Sequence, residues 1–174
     1  MASALVVDAS VAVAITVQEA GHDRAVTILR ERRAAGSKLL VPAFFWLEVA
    51  NVLVRRYRQR PGVVLEAIVD LENLGLESIA LDRPQLLLTI DAMERGGLSA
   101  YDAAYLALAE SANAQLTTAD RRLAAAAGSR ALPIGGGRTI KEAREPYPES
   151  WAAWPGAAAY LKQLRAQVVG QANG

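Results

Sequence analysis

Leu5-Val6-Val7-Asp8-Ala9-Ser10-Val11-Ala12-Val13 stands almost at the start of the chain and decides how the rest of it is arranged. An unbroken apolar run leading into a helical pattern is the signature of a strand buried on both faces of a parallel sheet. Asp8 ends the run abruptly. In open α/β sheets ligands collect in the crevice above the carboxyl ends of the strands, which is where this carboxylate falls. Ser10 reads as the N-cap of a helix from Val11 to about Gln18. A turn aspartate followed by a capping serine would explain the junction without any chemistry, so the case for a site rests on further acids in matching positions.

Composition narrows the function classes. A chain of 174 residues suggests one domain. Apolar residues make up 52% against 21% charged, enough for a real core and contrary to disorder. No apolar run approaches the ~18 residues that span a bilayer. The N-terminus lacks a basic stretch before its apolar run, which Asp8 interrupts, so a cytoplasmic protein with no membrane partner is expected. The absence of cysteine removes thiol nucleophiles, disulfides and Cys-based zinc sites. The single histidine, His22, falls in a helix-to-helix turn, and no Ser-His pair is in prospect. Carboxylate or metal chemistry is then the default for an enzyme.

Along the chain, strands alternate with helices. His22 to about Ala35 is an amphipathic helix closed by Gly36. Lys38–Val41 is a short strand, and Pro42 suits the first position of a helix running to about Arg58. That helix is apolar on most of its surface, with Phe44, Phe45, Trp46, Leu47, Val49, Val52, Leu53 and Val54. The large residues around Phe44, Phe45 and Trp46 exceed what one buried face requires, which points to association. Before Arg55 the helix has Glu48 and Asn51 as its polar residues, three apart and on one face. After Pro61-Gly62 another helix carries Val64, Ile68 and Leu71, and Leu76–Leu81 is a strand. Pro84–Arg95 is a helix stopped by Gly96-Gly97, and Leu98–Ala109 is an Ala/Leu-rich helix with Ser99 and Asp102 in its first turn. Gln115–Thr118 is a strand, Asp120 stands at the start of the next helix, and Ala131–Ile134 is an edge strand able to tolerate Pro133. The alternation implies an α/β protein with a central parallel sheet flanked by helices. Gly135-Gly136-Gly137 marks a change of composition. Beyond it come Trp151, Trp154 and a helix with Leu161, Leu164 and Val168.

Each of the further acids has an ordinary structural account. Glu48, Asn51 and Arg55 could form the solvent stripe of a mostly buried helix. Ser99-x-x-Asp102 matches a capping box, and Asp120 could be a helix-start acid. Jointly they say more, because carboxyl ends of strands and starts of the following helices share one rim of a parallel sheet. Asp8, Asp102 and Asp120 belong there. Crowded carboxylates repel and raise one another's pKa unless a cation compensates. Hard oxygen donors without His or Cys favour Mg²⁺ or Mn²⁺.

Four stretches together carry a resemblance: V-V-D-A-S-V at Val6–Val11, W-L-E-V-A-N-V-L at Trp46–Leu53, S-A-Y-D-A-A-Y-L-A-L-A at Ser99–Ala109, and L-T-T-A-D-R-R-L at Leu116–Leu123. In this order and spacing the chain resembles a PIN-domain ribonuclease, most of all the toxin of VapBC toxin-antitoxin pairs, over about Ala4–Ile134. The resemblance implies a three-layer PIN-like fold with the first strand in mid-sheet. It also implies a metal site of Asp8, Glu48, Asp102 and Asp120, all four catalytic, with Ser10 and Thr118 as supporting neighbours. It further implies RNA cleavage leaving 5′-phosphate and 3′-hydroxyl ends, a homodimer, and a small antitoxin partner. The family domain fits residues 1–140. Residues 141–174 form an extra C-terminal extension.

The expected activity is therefore metal-dependent endoribonuclease action, with a catalytically silent RNA- or protein-binding module as the alternative. A receiver-like domain phosphorylated on Asp8 would leave Glu48 and Asp120 without a purpose. Arg55, Arg56, Arg58 and Arg60, with Tyr57 among them, form a candidate RNA track in which arginines meet phosphates and Tyr57 stacks a base. The same cations could simply complement a helix C-terminus.

Overall fold

The computed structural model describes residues 4–135. The end of the 1–140 domain, the 141–174 extension and its expected helix lie outside the described residues. Five parallel strands make one sheet in the order β3-β2-β1-β4-β5. They are β1 (Leu5–Val7), β2 (Leu39–Pro42), β3 (Leu76–Ile79), β4 (Gln115–Thr118) and β5 (Ala131–Pro133). Seven α-helices among the described residues connect them: α1 (Ala9–Val17), α2 (His22–Ala34), α3 (Phe45–Arg55), α4 (Pro61–Glu72), α5 (Arg83–Gly96), α6 (Ala100–Ser111) and α7 (Arg121–Ala127). This is the three-layer α/β architecture that the alternation implies.

The opening stretch is central in space as well as in pattern. Leu5 pairs with Leu39 on one side and Gln115 on the other, and Leu5, Val6 and Val7 are fully buried. At the outer strands the alternation is different: β3 exposes Glu77 and Ser78, as an edge strand with one neighbour can. Pro133 ends β5, which pairs with β4 alone, so no ladder bond is lost. The core includes Val11 of α1, Ile28 and Leu29 of α2, Phe45, Val49 and Leu53 of α3, and Tyr105, Leu106 and Leu108 of α6. No helix among the described residues is long and apolar enough to cross a membrane.

Several local expectations need correction. Pro42 closes β2 instead of opening a helix. Opposite Ile79 it sits past the last residue that β2 pairs with β1, where its missing N–H breaks no bond to that neighbour. The chain then turns at Ala43, whose N–H reaches the Ile79 carbonyl at 2.9 Å, and α3 begins only at Phe45. Ser10 is not the cap of α1. Asp8 takes the N-cap position, with extended backbone and no side-chain capping bond, and Ser10 is already helical. The apolar cluster Phe44-Phe45-Trp46 is used within the chain: Phe45 is fully buried, and Phe44 meets Tyr101 and Tyr105 edge-on. Trp46 meets Phe45 edge-on and donates its indole N–H to Ser78 Oγ at 2.9 Å. The apolar side chains left at the surface include Leu47 of α3 (75% exposed), Val63 and Val69 of α4, and Leu86, Leu87, Leu88 and Ile90 of α5.

Candidate active site

Because all the strands run one way, β1, β2 and β4 end at a common rim, and the residues just beyond them become neighbours. Asp8 follows β1 directly, its N–H still in the ladder at 3.1 Å from the Thr117 carbonyl. Its carboxylate is 5% exposed. Oδ2 accepts from the Ser10 hydroxyl and from Thr118 Oγ1 at 2.7 Å. Those two hydroxyls extend the network into the β4–α7 turn. Ser10 Oγ accepts the Ala119 N–H at 2.9 Å, and Thr118 Oγ1 accepts the Asp120 N–H at 2.9 Å. Asp120 then caps α7, its Oδ1 accepting from the N–H groups of Arg122 (2.6 Å) and Leu123 (2.9 Å).

The other two acids come from helices. Ser99 caps α6, accepting the Asp102 N–H at 3.2 Å and donating to Asp102 Oδ2 at 2.7 Å, so the capping-box pattern is real. It coexists with the acid's second relation, to its neighbours. Glu48, in the first turn of α3, accepts at Oε2 from the Tyr105 hydroxyl at 2.8 Å. The solvent-stripe account holds for Asn51 and Arg55, which are exposed, and not for Glu48, which is partly buried.

Electrostatics ties the four together. Burial pushes Asp8 up to about 6, with hydrogen bonds from Ser10 and Thr118 opposing, and the charges of Asp102 and Asp120 adding to the rise. Glu48 is pushed up to about 7 by burial first and then by Asp8 and Asp102, against the Tyr105 bond. Asp102 is raised by burial, with Asp120 adding to it and Ser99 and Arg122 opposing. Each of the four therefore lies within electrostatic reach of at least one other.

The chemistry of this donor set fits a hard divalent cation: four carboxylates, no sulfur or imidazole, and one oxygen on each held by the protein while the other has no hydrogen bond among the described residues. Among the described residues no three such groups already form a ligand cage.

The basic run lies about two helical turns beyond Glu48 along α3, on the order of 10 Å. Arg56 sits 5.1 Å above the Tyr57 ring and 4.0 Å from Glu19. The Tyr57 hydroxyl donates to Glu19, while Arg60 takes the N-cap position of α4. Arg55 and Arg58 also have interaction partners.

Sequence reasoning missed Tyr105. It is fully buried, bonded to Glu48, and its own proton is held well above the usual phenol range by burial and the charges of Asp8 and Glu48. The available signal was its place three residues after Asp102, on the same face of an otherwise Ala/Leu helix.

Fold and site together define an α/β domain with a set of acids at the carboxyl rim of a five-stranded parallel sheet. The PIN-domain family model matches residues 5–129, and the chain belongs to that family. Among solved structures, PAE2754 from Pyrobaculum aerophilum is similar at 25% identity and a TM-score of 0.56, covering 77% of this chain and 85% of that one. VapC20 from Mycobacterium tuberculosis, a sarcin–ricin loop cleaving toxin, is similar in fold at 16% identity and a TM-score of 0.55, covering 71% of this chain and 95% of that one. No curated protein sequence matches the chain.

Proposed function

We propose that this protein is a Mg²⁺- or Mn²⁺-dependent endoribonuclease and the toxin of a type II toxin–antitoxin pair acting in the cytoplasm. The coarser part is family membership, since PIN domains are generally nucleases. The finer part is supported above all by one observation: carboxylates from the ends of β1 and β4 and the first turns of α3 and α6 come near one another, with Asp8 and Asp120 joined through Thr118 and with neighbouring acids adding to the rise that burial gives Asp8 and Glu48.

In this reading Asp8, Glu48, Asp102 and Asp120 hold the ion. When bound, Mg²⁺ or Mn²⁺ would supply Lewis-acid polarisation of a phosphoryl oxygen and a lowered pKa for water. Ser10 and Thr118 fix the Asp8 carboxylate through Oδ2, and Oδ1 has no hydrogen bond among the described residues. Glu48 is pushed up to about 7 in the absence of an ion, by burial first, and a bound divalent cation would draw it back to the ionised form, so in this reading it serves as a ligand. Tyr105 positions it. The products expected are a 5′-phosphate and a 3′-hydroxyl.

The test is cleavage of a mixed RNA pool with Mg²⁺ or Mn²⁺ and with EDTA, followed by end analysis of the fragments. Metal-dependent cuts with 5′-phosphate ends support the reading. RNA bound and left intact with either metal would replace it with the silent binding module.

Arg55, Arg56, Arg58 and Arg60 serve as the phosphate track in this reading, with Tyr57 beside them. Arg56→Ala with Arg60→Ala is expected to flatten the slope of log affinity for single-stranded RNA against log salt by ~0.7 for each phosphate no longer neutralised. An unchanged slope makes the run solvated surface. A homodimer is expected as well. Its support is not the Phe44–Trp46 cluster but the exposed apolar side chains Leu86, Leu87, Leu88 and Ile90 around α5. Light scattering at micromolar concentration should give twice the chain mass, and Leu87→Asp should return it to one.

A further inference from the structure

Two apolar side chains at the surface stand next in sequence to acids of the site. Tyr101, 61% exposed, immediately precedes Asp102 in the first turn of α6. Leu47, more exposed still, immediately precedes Glu48 in the first turn of α3.

The Tyr101 ring is held in place from within the fold. Phe44, at the N-cap of α3, meets it edge-on with ring centroids 5.3 Å apart and planes at 76°. Phe44 meets Tyr105 edge-on as well, at 5.6 Å, and Tyr105 donates to Glu48 at 2.8 Å. Tyr101 precedes Tyr105 by four residues, about 6 Å along α6. Tyr105 is fully buried and Tyr101 is not, so this step leads from the acids outward to solvent. Leu47 follows Phe44 by three residues and borders the same stripe of α3. A T-shaped contact with one neighbour leaves at least one face of the Tyr101 ring uncovered.

A restrained, exposed aromatic ring at the margin of a set of acids that acts on RNA suits a nucleobase. Single-stranded RNA is taken up largely by laying unstacked bases on aromatic rings. A strand whose scissile phosphate lies at the acids carries a base on the adjoining sugar, within reach of the ring beside them. Phe44 already restrains Tyr101, so little side-chain freedom is lost when a base settles on it. An apolar protein surface fits less well, because Asp102 and Glu48 adjoin the two exposed side chains and would lose water without gaining a partner.

We propose that Tyr101 is the base-stacking residue of this site, holding a nucleobase beside the scissile phosphate, with Leu47 as the apolar border. This rests on the ribonuclease reading of the acids and adds to it the part of the RNA that the ring takes up.

The test compares oligo(A) with a strand of the same length and backbone that lacks bases, bound in EDTA so that affinity is read apart from cleavage. Tyr101→Ala is expected to weaken oligo(A) binding by about 5- to 100-fold and to leave the abasic strand unaffected. The slope of log affinity against log salt should stay as it is, since no phosphate contact is lost. Tyr101→Trp, which keeps a ring, should keep the affinity. Should Tyr101→Ala fail to fold, Tyr101→Met fills the place beside Phe44 without an aromatic face and is read instead. With Mg²⁺, the apparent KM for cleavage of the mixed RNA pool should rise by a similar factor with kcat little changed. No loss on oligo(A), or an equal loss on both strands, overturns the proposal. So does a Tyr101→Ala protein of half the wild-type mass by light scattering, which assigns the ring to contact with a second copy. RNA cut by Tyr101→Ala at the wild-type KM overturns the stacking role alone. Oligo(A) held through Tyr101 while RNA stays uncut with either metal overturns the ribonuclease reading alone.

Discussion

In EDTA at about pH 8, Asp8→Asn is expected to be more stable than the wild type, by on the order of 2 kcal/mol, and the advantage is expected to vanish towards about pH 3. Asp8 titrates near 6 in the fold against 3.8 for the free side chain, and Glu48 near 7 against 4.5. Both folded values are raised, so the fold holds these protons more tightly than the unfolded chain does. Stability from that source is fully present below the unfolded values and is lost as pH rises through 6 and 7. At about 1.4 kcal/mol per pH unit, Asp8 alone loses on the order of 3 kcal/mol. The asparagine avoids this and can still accept the Ser10 and Thr118 hydroxyls through its amide oxygen. Chemical denaturation of both proteins at the two pH values reads the sign. A lower stability for Asp8→Asn at both would make the carboxylate an ordinary structural acceptor at a strand-to-helix turn.

The second large effect is on cleavage. Asp8→Asn, Asp102→Asn and Asp120→Asn should each lower the rate of RNA cleavage by about 10²-fold or more, with the fold intact by circular dichroism. If the acids act as one unit, the double variant Asp8→Asn/Asp102→Asn is hardly slower than either single one. Ser10→Ala and Thr118→Val, which free Asp8 without removing it, should cost about 10- to 100-fold. Losses that multiply across the set would mean that the acids contribute independently, contrary to a shared ion.

The parts legible in the sequence are those governed by pattern. The apolar run before Asp8 and the strand–helix alternation are enough for a parallel sheet with β1 buried on both faces, while its place in mid-sheet is what the family resemblance implies. They also set Asp8 and Asp120 near one rim, because each directly follows a strand, whereas Asp102 opens a helix that follows another helix, α5, and strand direction alone does not place it. The illegible parts depend on tertiary partners. Pro42 is equally at home at the end of a strand and at the start of a helix, and only the Ile79 pairing decides. Ser10 has the residue type of a cap, but the Thr118 and Ala119 groups that bring Asp8 and Ser10 into one network lie over a hundred residues away. Glu48 among apolar neighbours reads as a solvent stripe until Tyr105, 57 residues on, is seen to bond it. The Phe44–Trp46 cluster reads as surplus apolar surface because its partners Tyr101, Tyr105 and Ser78 are likewise distant in sequence.

The central claim is that the four acids share one ion, and Mn²⁺ titration followed by electron paramagnetic resonance tests it most directly. The wild type is expected to bind Mn²⁺ and to gain melting temperature as it does so, since the ion binds the folded state. Asp8→Asn and Asp102→Asn are each expected to lose most of that binding and most of that gain. Wild-type Mn²⁺ affinity in both variants, with RNA still cut, would contradict it.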